Sequence, residues 1–225
     1  TYLGGSLRDE LGKVRVDAAG NAHVVGRSFS TDFPGTATSA IPALASFQSS
    51  FGGFVDAVVA KLNPTGTQLI YSTFLGGTGT DWATGIARDG SNNIYITGLT
   101  TSNLFPTANA YDGSFASVFD AFVTKIAASG TSLSYSTFLG SSGADQGLAI
   151  GVDLSNQAVV TGLTNSSNFP TLYAVRPLWS GMEDIFVTKF TAAGNQLVYS
   201  TYLGGSEDEA GLAVAIDKLG NACVA

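Results

Sequence analysis

Apolar and polar residues alternate with a period of two along most of the chain, and no long stretch shows the 3.6-residue period of a helix. The middle of the chain is the clearest case. Thr84–Asp89 and Ile94–Thr100 flank the turn-like GSNN, and Ala121–Ile126 and Ser132–Gly140 flank AASG. β-Branched and aromatic residues are frequent in these segments, as is typical of strands. The pattern therefore predicts four antiparallel strands here.

This four-strand pattern recurs. The phrase YSTFLGG at Tyr71 returns with small changes at Tyr135 and Tyr199, and the chain opens on TYLGG. Its Thr stands at positions 1, 73, 137 and 201, so the period is 72 residues and then twice 64. The eight extra residues of the first unit are predicted to be a loop insertion between Pro34 and Asp56. We predict a single array over 1–225, with units 1–72, 73–136, 137–200 and a partial unit 201–225.

Three sets of charged residues recur at fixed positions within the repeat unit. An acid stands eight residues after each Thr, an Asp stands sixteen after it, and a late segment runs from an Asp to a Lys. The sets are Asp9, Asp81, Asp145 and Glu209; Asp17, Asp89, Asp153 and Asp217; and Asp56, Asp120 and Asp184 with Lys61, Lys125 and Lys189. We expect the second set to begin turns and the third to form structural pairs or solvated edges.

The unit length selects the fold class. Four antiparallel strands in 64 residues suit one blade of a β-propeller, since blades of the common families take roughly 40–50 residues and a longer loop covers the excess. Solenoid coils of roughly 20–30 residues are too short, and immunoglobulin-like domains of about 100 are too long. The sequence therefore predicts an all-β propeller with about 3.5 four-stranded blades.

The hairpin inside each unit has a specific turn prediction. Asp89 can accept backbone N–H groups in an Asx-turn. The position of Asn92 is held in the other units by Gly20, Asn156 and Gly220. Gly and Asn tolerate a positive φ, as short hairpin loops require.

These elements together resemble a known family. The spaced motif YSTFLGG…D…GIARD…NNIYITG…T…FP…DAFVTK recurs over the whole chain. It is similar to the SBBP repeats, bacterial repeats expected to form seven-bladed propellers. The resemblance implies a propeller that is usually exported or on the cell surface, with no reaction attached to the repeat itself. The chain carries half of seven blades.

The composition of the chain limits the kinds of partner and location that are expected. Charged residues are only 12% of the chain and the net charge is −7, so a nucleic-acid partner is not expected. The chain contains no run of about 20 apolar residues, so no membrane span is expected. The many small polar residues favour a secreted or surface protein. Because neither a signal peptide nor an initial Met is present, we expect a mature product, an excised piece or a gene fragment.

Two isolated residues are expected to be structural. His23 is the only His, and no nucleophile motif accompanies it, so we expect it to pack within its strand. Cys223 is the only Cys, which excludes an internal disulfide, and we expect it to be a small buried side chain.

Asp81 and Asp145 are the first candidate site residues. We place them in the loops that cross from one blade to the next, on the face where propeller ligands usually sit. There, together with Asp9 and Glu209, they could ring the channel mouth and offer oxygen ligands to a hard cation. Alternatively, each carboxylate accepts backbone N–H groups and fixes its own loop. We favour the second interpretation and expect no metal and no cofactor.

Four aromatic residues are the other candidates for ligand binding. Trp82 and Trp179 stand where the other units lack Trp, and Tyr111 and Tyr173 fall in the same loops. An aromatic ring offers a flat apolar face to a sugar. The alternative is that these residues pack beneath the loops.

We therefore expect a non-catalytic binding or structural propeller module of an exported or surface bacterial protein. A carbohydrate-binding, lectin-like module is the alternative, and a hydrolase that uses the acidic loops is the second. Because open blade faces and strand edges favour aggregation, we expect either a homodimer with two-fold symmetry or the remainder of a longer chain to close the ring. A glycan or a protein is the expected ligand.

Overall fold

The computed structural model describes residues 1–37, 44, 46–116 and 118–225. Within these ranges the ordered elements are fourteen β-strands, with no helix among them. The strands are β1 (Asp9–Val16), β2 (Ala22–Ser28), β3 (Asp56–Leu62), β4 (Leu69–Leu75), β5 (Asp81–Arg88), β6 (Ile94–Thr100), β7 (Asp120–Ile126), β8 (Leu133–Leu139), β9 (Asp145–Val152), β10 (Ala158–Thr164), β11 (Asp184–Phe190), β12 (Leu197–Leu203), β13 (Val214–Ile216) and β14 (Ala222–Val224).

The strands form three four-stranded antiparallel sheets and one two-stranded sheet, each in chain order. We call β1–β4 blade 1, β5–β8 blade 2, β9–β12 blade 3 and β13–β14 the half blade. This is the architecture of a partial β-propeller with about 3.5 blades, as the sequence predicted. No helix in the described part of the chain is long and apolar enough to span a membrane.

The core lies between neighbouring blades. One apolar cluster joins blades 1 and 2, with Val25 and Tyr71 packed against Ile86 and Phe122, and a second joins blades 2 and 3. The sequence predicted a buried set in blade 2, of which only Leu133 is partly exposed: Ile86, Ile94, Ile96, Phe122, Val123, Leu133 and Phe138. Stacking of the sheets therefore supplies the burial that a single blade lacks.

The predicted hairpin turns are confirmed at all four positions. Gly20, Asn92, Asn156 and Gly220 have φ angles of 84°, 64°, 61° and 85°. Asp89 Oδ1 accepts the backbone N–H groups two and four residues later in the chain, at 2.9 and 3.0 Å. A local rule of turn chemistry was therefore sufficient here.

Several boundaries differ from the predictions. Strand β5 begins at Asp81 rather than Thr84, because residues 81–83 already pair with residues 98–100 of β6. In the partial unit, the sequence predicts a first strand over Gly211–Asp217 and most of a second over Gly220–Ala225, whereas β13 and β14 are each three residues long. Residues 1–4, predicted as the tail of a strand, lie outside the strands.

Cys223 is exposed, so the prediction of a buried thiol was wrong. Its strand β14 pairs with β13, and the sheet face that carries Cys223 has no further blade packed on it in this structure. The predicted loop insertion between Pro34 and Asp56 includes 38–43 and 45, which lie outside the described residues.

Candidate functional site

The innermost strands of the blades line an open groove. Three connected depressions of about 260, 200 and 330 Å³ run along β1, β5, β9 and residues 212–216. We call this surface the inner groove. Part of its wall consists of backbone and small side chains, because the inner strands lie close together there. A β-carbon at Gly85 would lie only 3.3 Å from Ala149 Cα on the next strand.

One end of the inner groove holds an aromatic side chain. Trp82 lines it together with Lys13, Gln146 and Leu148. The guanidinium of Arg27 lies 4.0 Å from the centre of the Trp82 ring, which is a cation–π contact. The ring is thus held in place by blade 1 while part of it remains exposed.

The other end of the inner groove is cationic. Arg15 projects from β1 and is exposed, and Arg88 lies at the end of β5. Lys13, which is also exposed on β1, lies between this end and Trp82. The Arg88 guanidinium donates to Val16 O at 3.0 Å and to Asn92 Oδ1 at 3.2 Å, which holds it across the gap between blades 1 and 2. Among the described residues, no carboxylate forms an ion pair with these three cations.

The candidate acids Asp81 and Asp145 are fully buried at the starts of β5 and β9. Each accepts the backbone N–H of the residue four positions earlier at 2.8 Å, and each accepts a Ser hydroxyl at 2.9 and 2.8 Å. Burial raises the pKa of both carboxyls. Asp81 and Asp145 therefore fix the loops that enter their strands and do not face the inner groove.

A second acid lies beside Asp81. A β-carbon at Gly76 would lie 2.6 Å from Asp56 Oδ1 and 2.7 Å from Asp81 Oδ2, so this position accepts only Gly. Burial raises the pKa of Asp56 to about 7, and the neighbouring Asp81 adds to the shift. Asp56 Oδ2 accepts Gly52 N–H at 2.7 Å, whereas Oδ1 is buried without a hydrogen-bond partner. We call this arrangement the crossing pair.

The turn acids bind the lysines of the repeat. Lys61 Nζ lies 3.2 Å from Asp17, Lys125 Nζ 3.5 Å from Asp89 and Lys189 Nζ 2.8 Å from Asp153. The lysines thus form structural pairs, but with the turn acids rather than with the Asp that opens their own strand. Although burial acts to raise it, hydrogen bonds from Asn21 and the charge of Lys61 hold the pKa of Asp17 well below its usual range.

The remaining aromatic candidates lie in different places. Trp179 packs against the core between blades 2 and 3, with its Nε1 buried and unpartnered. Tyr111 is half-exposed beside Leu197 and contacts the Phe190 ring edge-on. Tyr173 is exposed and has a φ of 48°. Trp82 is the one aromatic candidate that lines the inner groove.

His23 is fully buried, as expected for a packing residue. Its Nδ1 lies 3.3 Å from Tyr71 Oη, and its Nε2 lies 3.5 Å from Asp17. Burial, together with the charge of Lys61, lowers the pKa of the imidazole. A ring without solvent access does not meet a substrate.

The comparison with known families agrees with this architecture. Residues 70–106 match the family model of the SBBP beta-propeller repeat. This segment runs from β4 through β5 and β6 of blade 2, so the SBBP match spans the crossing between two blades. The chain matches no curated protein.

Sequence reasoning missed the cations of the inner groove. Lys13 stands where the other units have Gly85, Ala149 and Ala213, and Arg15 stands where they have Ala87, Gly151 and Ala215. Arg88 stands where they have Val16, Val152 and Ile216. The three cations could therefore have been found by comparing the units, because each differs from the residues at the same position in the other units. Trp82 was found by the same criterion.

Proposed function

We propose that the chain is a non-catalytic binding module that presents the inner groove of an SBBP propeller to a ligand. The observation that supports this most directly is that residues which depart from the repeat lie together along the open inner groove. Residues common to all units hold turns and crossings, whereas Trp82, Lys13, Arg15 and Arg88 replace small or unrelated residues on one surface. Trp82 and Arg88 also contact blade 1, whereas Lys13 and Arg15 are exposed and form no ion pair within the described part of the chain.

We further propose that the module works outside the bacterial cell or on its surface. The low fraction of charged residues and the many Gly, Ser and Thr residues support this, and the resemblance to exported SBBP proteins agrees with it.

A lectin-like activity is the favoured form of binding, because Trp82 is held rigidly at one end of the inner groove. A hydrolase that uses Asp81 or Asp145 has less support, since both carboxylates are buried and bound to their own loops. Loss of a hydrolytic activity in Asp81→Asn, with the fold intact, would favour the hydrolase.

We also propose that blade 1 packs against a further SBBP blade, supplied by a second copy of the chain. Val14 of β1 is 49% exposed, whereas its counterpart Ile86 in blade 2 is 2% exposed because blade 1 covers it. Leu3, Leu11 and Val24 lie on the same open face. Light scattering at micromolar concentration tests this, and a stable 23 kDa monomer would contradict it.

Array binding with matched variants tests the binding proposal. The full chain is applied to glycan and peptide arrays, followed by Leu148→Trp, which fills the inner groove, and Leu154→Trp, which adds the same ring to an exposed turn. We expect saturable binding that Leu148→Trp abolishes and Leu154→Trp preserves. Absence of saturable binding, or binding that survives Leu148→Trp, would overturn the proposal.

A further inference from the structure

The charge of the inner groove contrasts with that of the whole chain. The protein carries ten Lys and Arg against seventeen Asp and Glu. Three of the ten cations, Lys13, Arg15 and Arg88, nevertheless line one continuous groove. A cation that serves stability is expected to have a carboxylate partner, as Lys61 and Lys125 have. The groove cations have none among the described residues.

The acid that lines the inner groove beside Arg15 and Arg88 is already paired with a lysine. Asp89 lines the same end of the inner groove but is buried, accepts the N–H groups of its own turn and pairs with Lys125. At the opposite end, Glu10 is bound by Arg8 and Arg27. Uncompensated positive charge therefore remains in the groove, where an anionic ligand could bind it.

The positions of the cations strengthen the argument. The inner strands approach so closely that the repeat uses Gly and Ala at the positions of Lys13 and Arg15. Lys13 and Arg15 instead place two long charged side chains there, and both remain exposed. Arg88 is in addition fixed by hydrogen bonds to Val16 O and Asn92 Oδ1, which orients its guanidinium beforehand. A fixed guanidinium suits carboxylate recognition, because its planar donors match two oxygens.

From this we infer that the inner groove binds an acidic oligosaccharide whose carboxylates contact Lys13, Arg15 and Arg88 and whose sugar ring lies against Trp82. Trp82 supplies the apolar platform that a pyranose ring needs, and it lies in the depression that is continuous with the cationic end. This inference rests on the proposed function of the inner groove and adds the chemical class of the ligand.

Reversion to the repeat's own residues gives a clean test. Lys13→Ala, Arg15→Ala and Arg88→Val restore residue types that other units carry at these positions, so the fold is expected to hold. Lys218→Ala, in the turn of the half blade, is the matched loss of one positive charge outside the groove. Circular dichroism and the urea midpoint check folding of each variant.

The probes are a trigalacturonate, its neutral galactose counterpart and a glutamate trimer of the same charge, titrated by calorimetry into the full chain. We expect the trigalacturonate to bind, the neutral sugar to bind at least tenfold more weakly, and higher salt to weaken binding. Exposed ion pairs contribute up to about fivefold each, so the triple reversion is expected to lose roughly tenfold to a hundredfold. Lys218→Ala is expected to change the affinity less than twofold.

The outcomes separate the two proposals. If the neutral sugar binds as well as the acidic one, and the triple reversion has no effect, the charge assignment is overturned while the inner groove remains a binding site. If the glutamate trimer binds as tightly as trigalacturonate and Trp82→Ala changes neither, the ligand is an acidic peptide and the saccharide assignment is overturned. If array binding survives Leu148→Trp, the proposed function itself has failed.

Discussion

The two ends of a blade use the same side chain in opposite electrostatic settings. At the turn end, Asp17, Asp89 and Asp153 each accept backbone N–H groups and lie beside a Lys, and the pKa of each is lowered. At the crossing end, Asp56 and Asp81 face each other across Gly76, and burial raises the pKa of both. Repetition of an acid in the sequence therefore does not define a single role.

The difference teaches what each end requires. At the turn, hydrogen bonds from the loop and a lysine stabilise a carboxylate in its charged form. At the crossing, two carboxyls share one buried space, and within the described part of the chain neither of them forms an ion pair with a lysine. With its pKa near 7, Asp56 is protonated to a large extent at neutral pH, which relieves the repulsion from Asp81.

The largest effect is expected from the core, on which both ends depend. Phe122 is fully buried between blades 1 and 2, so Phe122→Ala is expected to lower the free energy of unfolding by about 3–5 kcal/mol at every pH. Phe54→Ala, at an exposed Phe, is the matched control and is expected to stay within about 0.5 kcal/mol of the parent. Urea unfolding measures both, and a loss below about 1 kcal/mol for Phe122→Ala would contradict the assigned burial.

The crossing pair is expected to destabilise the protein at alkaline pH. A carboxyl whose folded pKa is near 7 keeps its proton in the folded state while the unfolded state releases it near pH 4, so stability falls between pH 4 and 7. A shift of this size corresponds to about 4 kcal/mol as an upper value. In Asp56→Asn the amide oxygen can still accept Gly52 N–H, and no charge forms.

We therefore expect Asp56→Asn to be more stable than the parent at pH 8 and nearly equal to it at pH 4.5. Urea midpoints at the two pH values measure this, and the difference between variant and parent removes the contributions of all other groups. Equal stability differences at both pH values would show that Asp56 does not titrate in this range.

The turn acid Asp89 is expected to stabilise the protein at neutral pH, opposite in sign to the effect of Asp56. Asp89→Asn removes the charge that Lys125 and the turn N–H groups bind, so we expect a loss of about 2 kcal/mol at pH 7. Because the folded pKa of Asp89 is lowered, this contribution is present above the unfolded pKa near 4 and disappears in acid. The stabilities of the variant and the parent should therefore converge as the pH falls below the unfolded pKa. A double change with Lys125→Met should recover part of the loss.

The sequence carried enough information for the blades and the turns. Strand alternation, the recurrence of YSTFLGG and the Asx-turn at Asp89 each depend on contacts within a few residues or within one repeat. Such local rules also placed Asn92 and Gly220 at positive φ. The pairing of Lys61 with Asp17 was missed because it depends on which ends of β2 and β3 lie together.

The candidate site was less predictable for a physical reason. Asp81 and Trp82 are neighbours in sequence, but successive residues of a strand point in opposite directions. Asp81 is consequently buried, while Trp82 lines the inner groove. The sequence placed both in a loop, where this alternation does not apply. Lys13 and Arg15 were overlooked because, in the sequence alone, a single charged residue on a strand looks like an ordinary solvent-exposed position. Only the packing of the neighbouring blade shows that both residues line a groove.

A smaller effect is expected at the turn backbone. Asn156 has a φ of 61°, and its counterparts Gly20 and Gly220 are glycines. Asn156→Gly is therefore expected to preserve stability, whereas Asn156→Ala should lose about 1 kcal/mol because a β-carbon is disfavoured in this conformation. Thermal melting of both variants compares them directly. A loss for Gly as large as that for Ala would assign the cost to the Asn side chain rather than to the backbone.

The smallest effect, close to zero, is expected on removal of divalent cations. The turn acids are bound by lysines and backbone N–H groups, and Asp56 reduces its charge by binding a proton. A cation present at 100 times its dissociation constant would add about 2.7 kcal/mol, which melting with and without a chelator would detect. Because protons and cations compete for the crossing pair, the measurement is most sensitive at pH 8. Calcium stabilisation at pH 8 that disappears in Asp56→Asn would mean that the crossing pair is a cation site. The two ends of a blade would then differ in the cation that neutralises their acids, which would be calcium at the crossing and lysine at the turn.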